Sequence, residues 1–159
     1  MVRVARHKYT SKDGVEYDSR EEYLYHLLLL SDKNVSCIHR QVRLNILPPI
    51  YMLVPRQLKT KVRIDKRLMV SGHNYTSDFI FFEGDKIVVC DVKSEYTRSL
   101  REYSITKKGV IEKIVTHNKK RHGWAAHVIF REAIHLRKNE WRIIDYPPDG
   151  AAYCLIPFS

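Results

Sequence analysis

The 159-residue chain has few cysteines, few glycines and no long apolar run, and each shortage excludes a class of protein. Its three cysteines, Cys37, Cys90 and Cys154, are widely spaced without a CxxC pair, so we expect reduced thiols rather than a disulfide framework or zinc ribbon. The six glycines form no GxGxxG or Walker A loop, which leaves a nucleotide cofactor unsupported. No apolar run approaches the roughly 20 residues that span a bilayer, and the first residues lack the apolar core of a signal peptide. We expect a soluble cytoplasmic protein with no membrane partner.

Acidic residues are also in the minority. Lysine and arginine together number 28 against 18 aspartates and glutamates, which gives a formal charge of +10 and a pI of about 9.6. This excess favours a polyanionic partner, and nucleic acid is the leading candidate. The length fits one domain, residues 1–159, which is large enough to bury its own core.

Local patterns predict the first elements of the fold. In "YDSREEYLYHLLLLSD", Ser19 followed by Glu22 forms a capping box, and the leucines after it predict a helix from about Ser19 to Ser31. The alternation in "CIHRQVRLNIL" predicts a strand that ends before Pro48 and Pro49. Residues 48–74 are undecided between a long hairpin arm and a flexible loop.

The second half of the chain completes an α/β or α+β pattern. Helical spacing in "TRSLREYSITKKGVIEKIVTHNKKR" predicts one helix, or a pair broken at Gly109. Two short strands, "AHVIFRE" and "WRIIDYP", follow around a turn near Lys138 and Asn139. We therefore expect a central mixed β-sheet flanked by helices.

Residues 75–94, "YTSDFIFFEGDKIVVCDVKS", read as two apolar strands around a turn at Gly84 and Asp85. A two-residue or four-residue loop sets Asp78 directly opposite Asp91, with Lys93 two residues further on the same face. A three-residue loop would place the two acids on opposite faces. Both faces of the hairpin are apolar, so its strands should be central and covered on both sides.

Two opposed carboxylates in buried strands repel each other, and burying unpaired charge is costly. A divalent cation between Asp78 and Asp91 removes that penalty, because Mg²⁺ is commonly held by one or two carboxylates with waters and phosphate oxygens. Lys93 can orient or help to deprotonate an attacking water and stabilise charge on a phosphorane. These residues therefore indicate phosphodiester hydrolysis. The alternative is structural: an ordinary Asp91–Lys93 strand pair, with Asp78 capping a turn.

The same residues resemble the PD-(D/E)XK nuclease superfamily. "YTSDF" stands where "YTPDF" is common, with Ser77 in place of the proline, and "DVK" supplies the acid-x-Lys element. The helix start resembles the "FxSxxE" of small phage nucleases and transposon-end endonucleases, which selects Glu22, with Glu21 as an alternative if the helix is rotated. Helix capping would explain Glu22 equally well. Gln41 matches a glutamine that follows the first helix in these relatives.

The resemblance implies a restriction-endonuclease-like core and Mg²⁺ or Mn²⁺ dependence, with Glu22, Asp78 and Asp91 as metal ligands and Lys93 as a further catalytic residue. It also implies cleavage that leaves a 5′-phosphate. The leading expectation is a structure-specific DNA endonuclease of phage or mobile-element recombination, such as a four-way junction resolvase acting as a homodimer. Alternatives are an endonuclease subunit that cuts transposon ends with a partner transposase, and a non-catalytic nucleic-acid-binding protein. The expected DNA contacts are Gln41, Arg56, Lys59, Lys61, Arg63, Lys107, Lys108 and Lys113.

Overall fold

A five-stranded sheet forms the centre of the computed structural model, which describes residues 8–120, 126–137 and 140–146. The strand order in this sheet is β3-β6-β7-β8-β9. Strands β7 and β8 are parallel, and the other neighbouring pairs are antiparallel. The predicted mixed α and β class with a mixed central sheet is therefore confirmed. In chain order the elements are β1 (Tyr9–Thr10), β2 (Glu16–Tyr17), α1 (Arg20–Ser31), β3 (Val35–Leu47), β4 (Ile50–Gln57), β5 (Val62–Val70), β6 (His73–Glu83), β7 (Lys86–Ser94), α2 (Glu95–Arg98), α3 (Arg101–Lys120), β8 (His127–Arg137) and β9 (Glu140–Tyr146).

Apolar side chains cover both faces of the central strands. On one face, Tyr25 and Leu29 of α1 pack in a cluster with Phe79 and Phe81. On the other face, Val110 and Ile114 of α3 belong to a cluster that includes Val89 and Phe130. The prediction that β6 and β7 are buried on both sides is confirmed, and Cys90 of β7 is itself fully buried.

The helix α1 begins where the capping signal predicts. The Ser19 side chain accepts a hydrogen bond from the backbone N–H of Glu22 at 3.1 Å. The helix then ends at Ser31, as expected. Because this cap fixes the first turn, it also fixes which side of the helix carries Glu22.

Of the two alternatives for the second helical segment, one long helix agrees with α3, and the break at Gly109 is wrong. The short helix α2 precedes α3 and is separated from it at Ser99 and Leu100. A Cβ at Gly109 would lie 2.8 Å from Cγ2 of Ile46. This glycine therefore permits close packing of α3 on β3, a tertiary requirement that local helix signals do not reveal.

The undecided stretch forms a hairpin outside the central sheet. Within the described ranges, strands β4 and β5 pair with each other alone in a separate two-stranded sheet, with residues 58–61 connecting them. We call residues 50–70 the ribbon.

Three details complete the comparison with the expectations. The short pair β1 and β2 carries no clear sequence signal and was not predicted. Cys154 and the expected turn at Lys138 and Asn139 lie outside the described residues. Within the described ranges, no helix has the length and apolar character needed to cross a bilayer.

Candidate active site

The β6–β7 hairpin has the register that the turn predicts. Gly84 adopts a φ of +61°, which glycine tolerates at low cost, and Glu83 pairs with Lys86. The ladder continues to Phe79 opposite Cys90, so Asp78 and Asp91 are the next residues on the two strands. Asp78 Oδ2 accepts a hydrogen bond from the backbone N–H of Val92 at 2.7 Å, which fixes this carboxylate across the hairpin.

Lys93 joins the two acids. Its Nζ lies 2.7 Å from Asp91 Oδ1 and 3.5 Å from Asp78 Oδ2. Asp78 is 7% exposed and Asp91 is 1% exposed, so a single ammonium is the cation nearest to two buried carboxylates. The arrangement meets the requirement that a buried charge be paired.

One oxygen of this group has no partner in the part of the chain that the structure describes. Asp91 Oδ2 is buried there without a hydrogen bond, and the hydroxyl of Tyr75 is buried in the same unpaired state. Burial raises the pKa of Asp91 to about 7, against the opposing effect of Lys93 and with a further increase from Asp78. Burial also raises the pKa of Tyr75, and Asp91 is the largest charged contributor. An unpaired buried carboxylate oxygen is a group that a further cation would satisfy.

The Lys93 ammonium remains charged at neutral pH. Burial lowers the pKa of this group, but Asp78 and Asp91 outweigh that effect and hold the pKa above its ordinary value. The ammonium also lies 5.6 Å from the centre of the Tyr103 ring. A lysine in this state can donate hydrogen bonds and stabilise negative charge, whereas it is a poor proton acceptor.

Glu22 faces the same end of the sheet from α1. It is only 5% exposed, and it lines one cleft together with Asp78 and Lys93. Burial raises the pKa of Glu22 to about 7, and the nearby carboxylates of Asp78 and Asp18 raise it further. Its Oε2 accepts a weak hydrogen bond of 3.4 Å from the backbone N–H of Asp18, the residue before the Ser19 cap, so one side chain contacts the start of α1 and lines the cleft.

Gln41 lies beside Glu22 and approaches the acids from β3. Its Nε2 donates to Glu22 Oε2 at 3.3 Å. The neighbouring pairs of β3 and β6 place Gln41 opposite Asp78. Its backbone has a φ of +51°, which costs a non-glycine residue about 1–2 kcal/mol. Backbone strain of this kind is commonly found at functional sites.

Two clefts open onto these residues. One, of about 400 Å³, lies beside the start of α1, and the other, of about 520 Å³, lies beside the start of α3. Both are lined by Asp18, Asp78, Lys93 and Thr97. Asp78 and Lys93 are therefore open to both clefts, whereas Asp91 lines only the larger one.

A further buried carboxylate lies on the α3 side of the site, and the sequence reasoning missed it. Glu132 is 0% exposed and pairs with Asp91 in the register of β7 and β8. It accepts hydrogen bonds from the Tyr103 hydroxyl at 2.9 Å and from Lys107 Nζ at 3.3 Å. Arg98 and Tyr146 also donate to it, each at a similar distance. An acid inside the apolar run "HVIFREAI" is the same signal that identified Asp78 and Asp91.

The three lysines of α3 that were expected to contact DNA each have a partner within the protein. Lys107 forms an ion pair with Glu132 and is only 19% exposed. Lys113 donates to the backbone carbonyl of Asn45 at 2.7 Å. Lys108 is exposed and lies 3.8 Å from Glu112. In the ribbon, by contrast, the expected contacts all lie on the surface: Arg56, Lys59, Lys61 and Arg63.

A divalent cation fits this donor set only with help from other ligands. Within the described ranges, no three His, Cys, Asp or Glu side chains are arranged so that they could hold a metal ion. Asp78 and Asp91 nevertheless offer two carboxylates, one with an unpaired oxygen. Mg²⁺ typically uses one or two carboxylates and completes its shell with waters and substrate phosphate. The residues present fit such an ion.

Comparison of the chain with protein-family models, with curated proteins and with solved structures gave no match. The functional assignment therefore rests on the geometry described above.

Proposed function

We propose that the chain is a metal-dependent DNA endonuclease with a restriction-endonuclease-like core, similar to the PD-(D/E)XK superfamily. One observation carries this proposal: the buried pair Asp78 and Asp91, on adjacent strands at one sheet end, shares the ammonium of Lys93. A site that served only stability would gain little from this arrangement, because hydrophobic replacements of buried ion pairs are often neutral or stabilising.

Each residue has a distinct role in this proposal. Asp78 and Asp91 would hold Mg²⁺ or Mn²⁺, and Glu22 would position the attacking water. Lys93 orients that water and stabilises the negative charge that develops on the phosphoryl oxygens. Gln41 positions Glu22 through the 3.3 Å hydrogen bond between their side chains. When bound, the divalent ion supplies Lewis-acid polarisation of the phosphate and lowers the pKa of bound water.

Charge and shape favour DNA as the substrate. The net charge of +10 attracts a polyanion over long distances, and the larger cleft is open to both Asp78 and Asp91. Hydrolysis would leave a 5′-phosphate, as the resemblance implies. The most specific form of the proposal is a homodimer that cuts four-way junctions or other branched DNA, because paired cuts need two sites.

Cleavage of three labelled DNAs tests the proposal. Wild type and Asp91→Asn are incubated with a four-way junction, a flap and a linear duplex, each with Mg²⁺, with Mn²⁺ and with neither metal. We expect metal-dependent cutting by wild type alone, with 5′-phosphate products and paired nicks in the junction. Both proteins should bind the DNA with similar affinity, because the substitution preserves the size of the side chain.

Other outcomes select among the alternatives. Metal-dependent cutting of all three DNAs would retain the nuclease and reject structure selectivity. Binding without cutting in either metal would reject the autonomous endonuclease. Two alternatives would then remain: a non-catalytic nucleic-acid-binding protein, and an endonuclease subunit that needs a partner transposase. Cleavage that appears when a transposase is added would identify the second.

A further inference from the structure

The ribbon has two chemically different faces. Residues paired directly across β4 and β5 share a face. One face, which we call the arginine face, consists of Met52, Val54, Arg56, Arg63, Asp65 and Arg67. The opposite face is mainly apolar and consists of Tyr51, Leu53, Pro55, Gln57, Val62, Ile64, Lys66 and Leu68.

Positive charge is concentrated in the ribbon. Residues 50–70 contain six lysines and arginines and one acid, Asp65, so their net charge of +5 is half that of the chain. The side chains of Arg56 and Arg63 lie directly opposite each other and remain 68% and 72% exposed. Asp65 lies 3.0 Å from Arg63 and 3.9 Å from Arg56. It lies between two like charges while leaving both guanidinium groups open to a ligand.

The ribbon projects from the end of the sheet that carries the acids. Beyond the position of Gln41 opposite Asp78, β3 and β6 continue to pair as far as Leu47 and His73, where the ribbon begins. His73 and Asn74 line the larger cleft together with the acids. The base is tightly packed, because a Cβ at Gly72 would lie 2.8 Å from the carbonyl oxygen of Leu47. A polymer bound in the cleft would therefore pass the base of the ribbon.

We propose that the arginine face of the ribbon lies in the major groove of duplex DNA next to the cleavage site. This inference deepens the proposed function and rests on it. The B-DNA major groove is about 12 Å wide and admits a two-stranded β-ribbon. Surfaces for single strands usually carry aromatic side chains on which bases stack. Among the described residues of the arginine face, none is aromatic.

The length of β6 and of the ribbon limits the distance between the acids and the DNA that the ribbon contacts. Asp78 and His73 are five residues apart on β6, about 17 Å at 3.3 Å per residue, and the eight paired positions of the ribbon add about 26 Å. At about 3.4 Å per base pair, the protected bases lie within about 13 base pairs of the cut, on one side of it.

Binding measurements in an Asp91→Asn background test the inference without cleavage, so the result does not depend on the chemistry. The probe is a 30-base-pair duplex, with its single strand as a comparison. The test variant is Arg56→Gln, Arg63→Gln and Arg67→Gln combined. The matched control is Lys33→Gln, Lys119→Gln and Lys120→Gln, which removes the same charge from exposed residues at the opposite end of the sheet.

The arginine variant should bind the duplex about 10- to 100-fold more weakly. Its slope of log affinity against log salt should be shallower by about 2.7, because each phosphate contact contributes about 0.9. The control should change the slope by less than about one. Dimethyl sulfate reacts with guanine N7 in the major groove, and the background protein should protect these positions while the arginine variant should not. Melting temperatures of both variants, compared with the background, check that the fold is intact.

Several results would overturn the inference. Equal losses in the arginine variant and the control would mean that only net charge matters. Tighter binding of the single strand would reject duplex DNA as the ligand, and lost affinity without N7 protection in the background would reject the major groove. The ribbon would instead bind a second copy of the chain if Leu53→Ser with Ile64→Ser abolished a dimer while the arginine variant kept its DNA affinity. None of these results would argue against metal-dependent cleavage by wild type. The proposed endonuclease activity and the proposed major-groove contact can therefore fail separately.

Discussion

The β6–β7 hairpin and the ribbon are both antiparallel strand pairs, yet they differ in where their charges lie. The first is covered by α1 and α3 and keeps its buried charges at one end, in Asp78, Asp91 and Lys93. The ribbon is exposed on both faces and carries charges along one of them. Buried charges act strongly at one point, because the local dielectric constant is low, whereas exposed charges act weakly and together. The first arrangement suits chemistry, and the second suits affinity for a polyanion.

The largest expected difference comes from the same lysine substitution in each hairpin. Lys93→Met should slow single-turnover cleavage by about 10²- to 10³-fold, because it removes a charge that acts in the transition state. Lys61→Met, in the connection at the tip of the ribbon, should weaken DNA binding by less than about tenfold and leave the rate at saturating protein unchanged. Rates and affinities measured with one labelled DNA check both results. Equal effects on rate would erase the distinction between the two hairpins.

The second difference concerns pH. The folded pKa values of Asp91 and Glu22 are raised to about 7, above their ordinary values of 3.8 and 4.5. The folded chain therefore holds protons that the unfolded chain has released, so these groups favour folding below about pH 4 and lose that contribution as pH rises to about 7. Melting in metal-free buffer from pH 5 to 8 should show this decline.

Asp91→Asn should have a shallower decline than wild type, because one of the two groups is gone. The control is Asp85→Asn, which makes the same change at the exposed turn of the same hairpin. The same decline in all three proteins would show that burial of Asp91 costs nothing.

The third prediction compares the same substitution, valine to alanine, at a buried position of the β6–β7 hairpin and at an exposed position of the ribbon. Val88 is 0% exposed and Val62 is 57% exposed. Val88→Ala should lower the free energy of unfolding by about 2–3 kcal/mol through lost burial and a cavity. Val62→Ala should change it by less than about 0.5 kcal/mol. Urea unfolding measures both, and a large loss at Val62 would indicate that the ribbon is covered in solution.

The smallest predicted effect separates two roles for Gln41. A DNA contact would make Gln41→Ala bind DNA more weakly at an unchanged saturated rate. The hydrogen bond to Glu22 predicts the reverse: a rate about tenfold lower with unchanged affinity. Gln41→Glu is a useful companion, since it places a second carboxylate beside Glu22 and should lower the rate further.

Local signals predicted the parts of the molecule that local chemistry determines. The Ser19 cap specified the start of α1, and the turn at Gly84 specified the register that aligns Asp78 with Asp91. Of the two alternatives for the second helical segment, the break at Gly109 is wrong, because this glycine allows α3 to pack closely on Ile46 of β3 and does not end a helix.

The internal roles of Lys107 and Lys113 were invisible for the same reason. Their partners, Glu132 and the carbonyls of Asn45 and Ile46, are distant in sequence. A lysine on a basic helix face gives no sign of whether it turns inward. Glu132 in β8, by contrast, could have been predicted from the sequence, since it is an acid within an apolar run like Asp78 and Asp91.

The most direct test of the nuclease is a matched pair of aspartate substitutions in the β6–β7 hairpin. Single-turnover cleavage of the best DNA substrate is measured with Mg²⁺ for wild type, for Asp78→Asn at the buried end and for Asp85→Asn at the exposed turn. The account predicts wild-type cleavage by Asp85→Asn and a loss of at least about 10³-fold in Asp78→Asn, with equal DNA affinity in all three. Wild-type cleavage by Asp78→Asn, or cleavage that persists after removal of divalent ions, would contradict it.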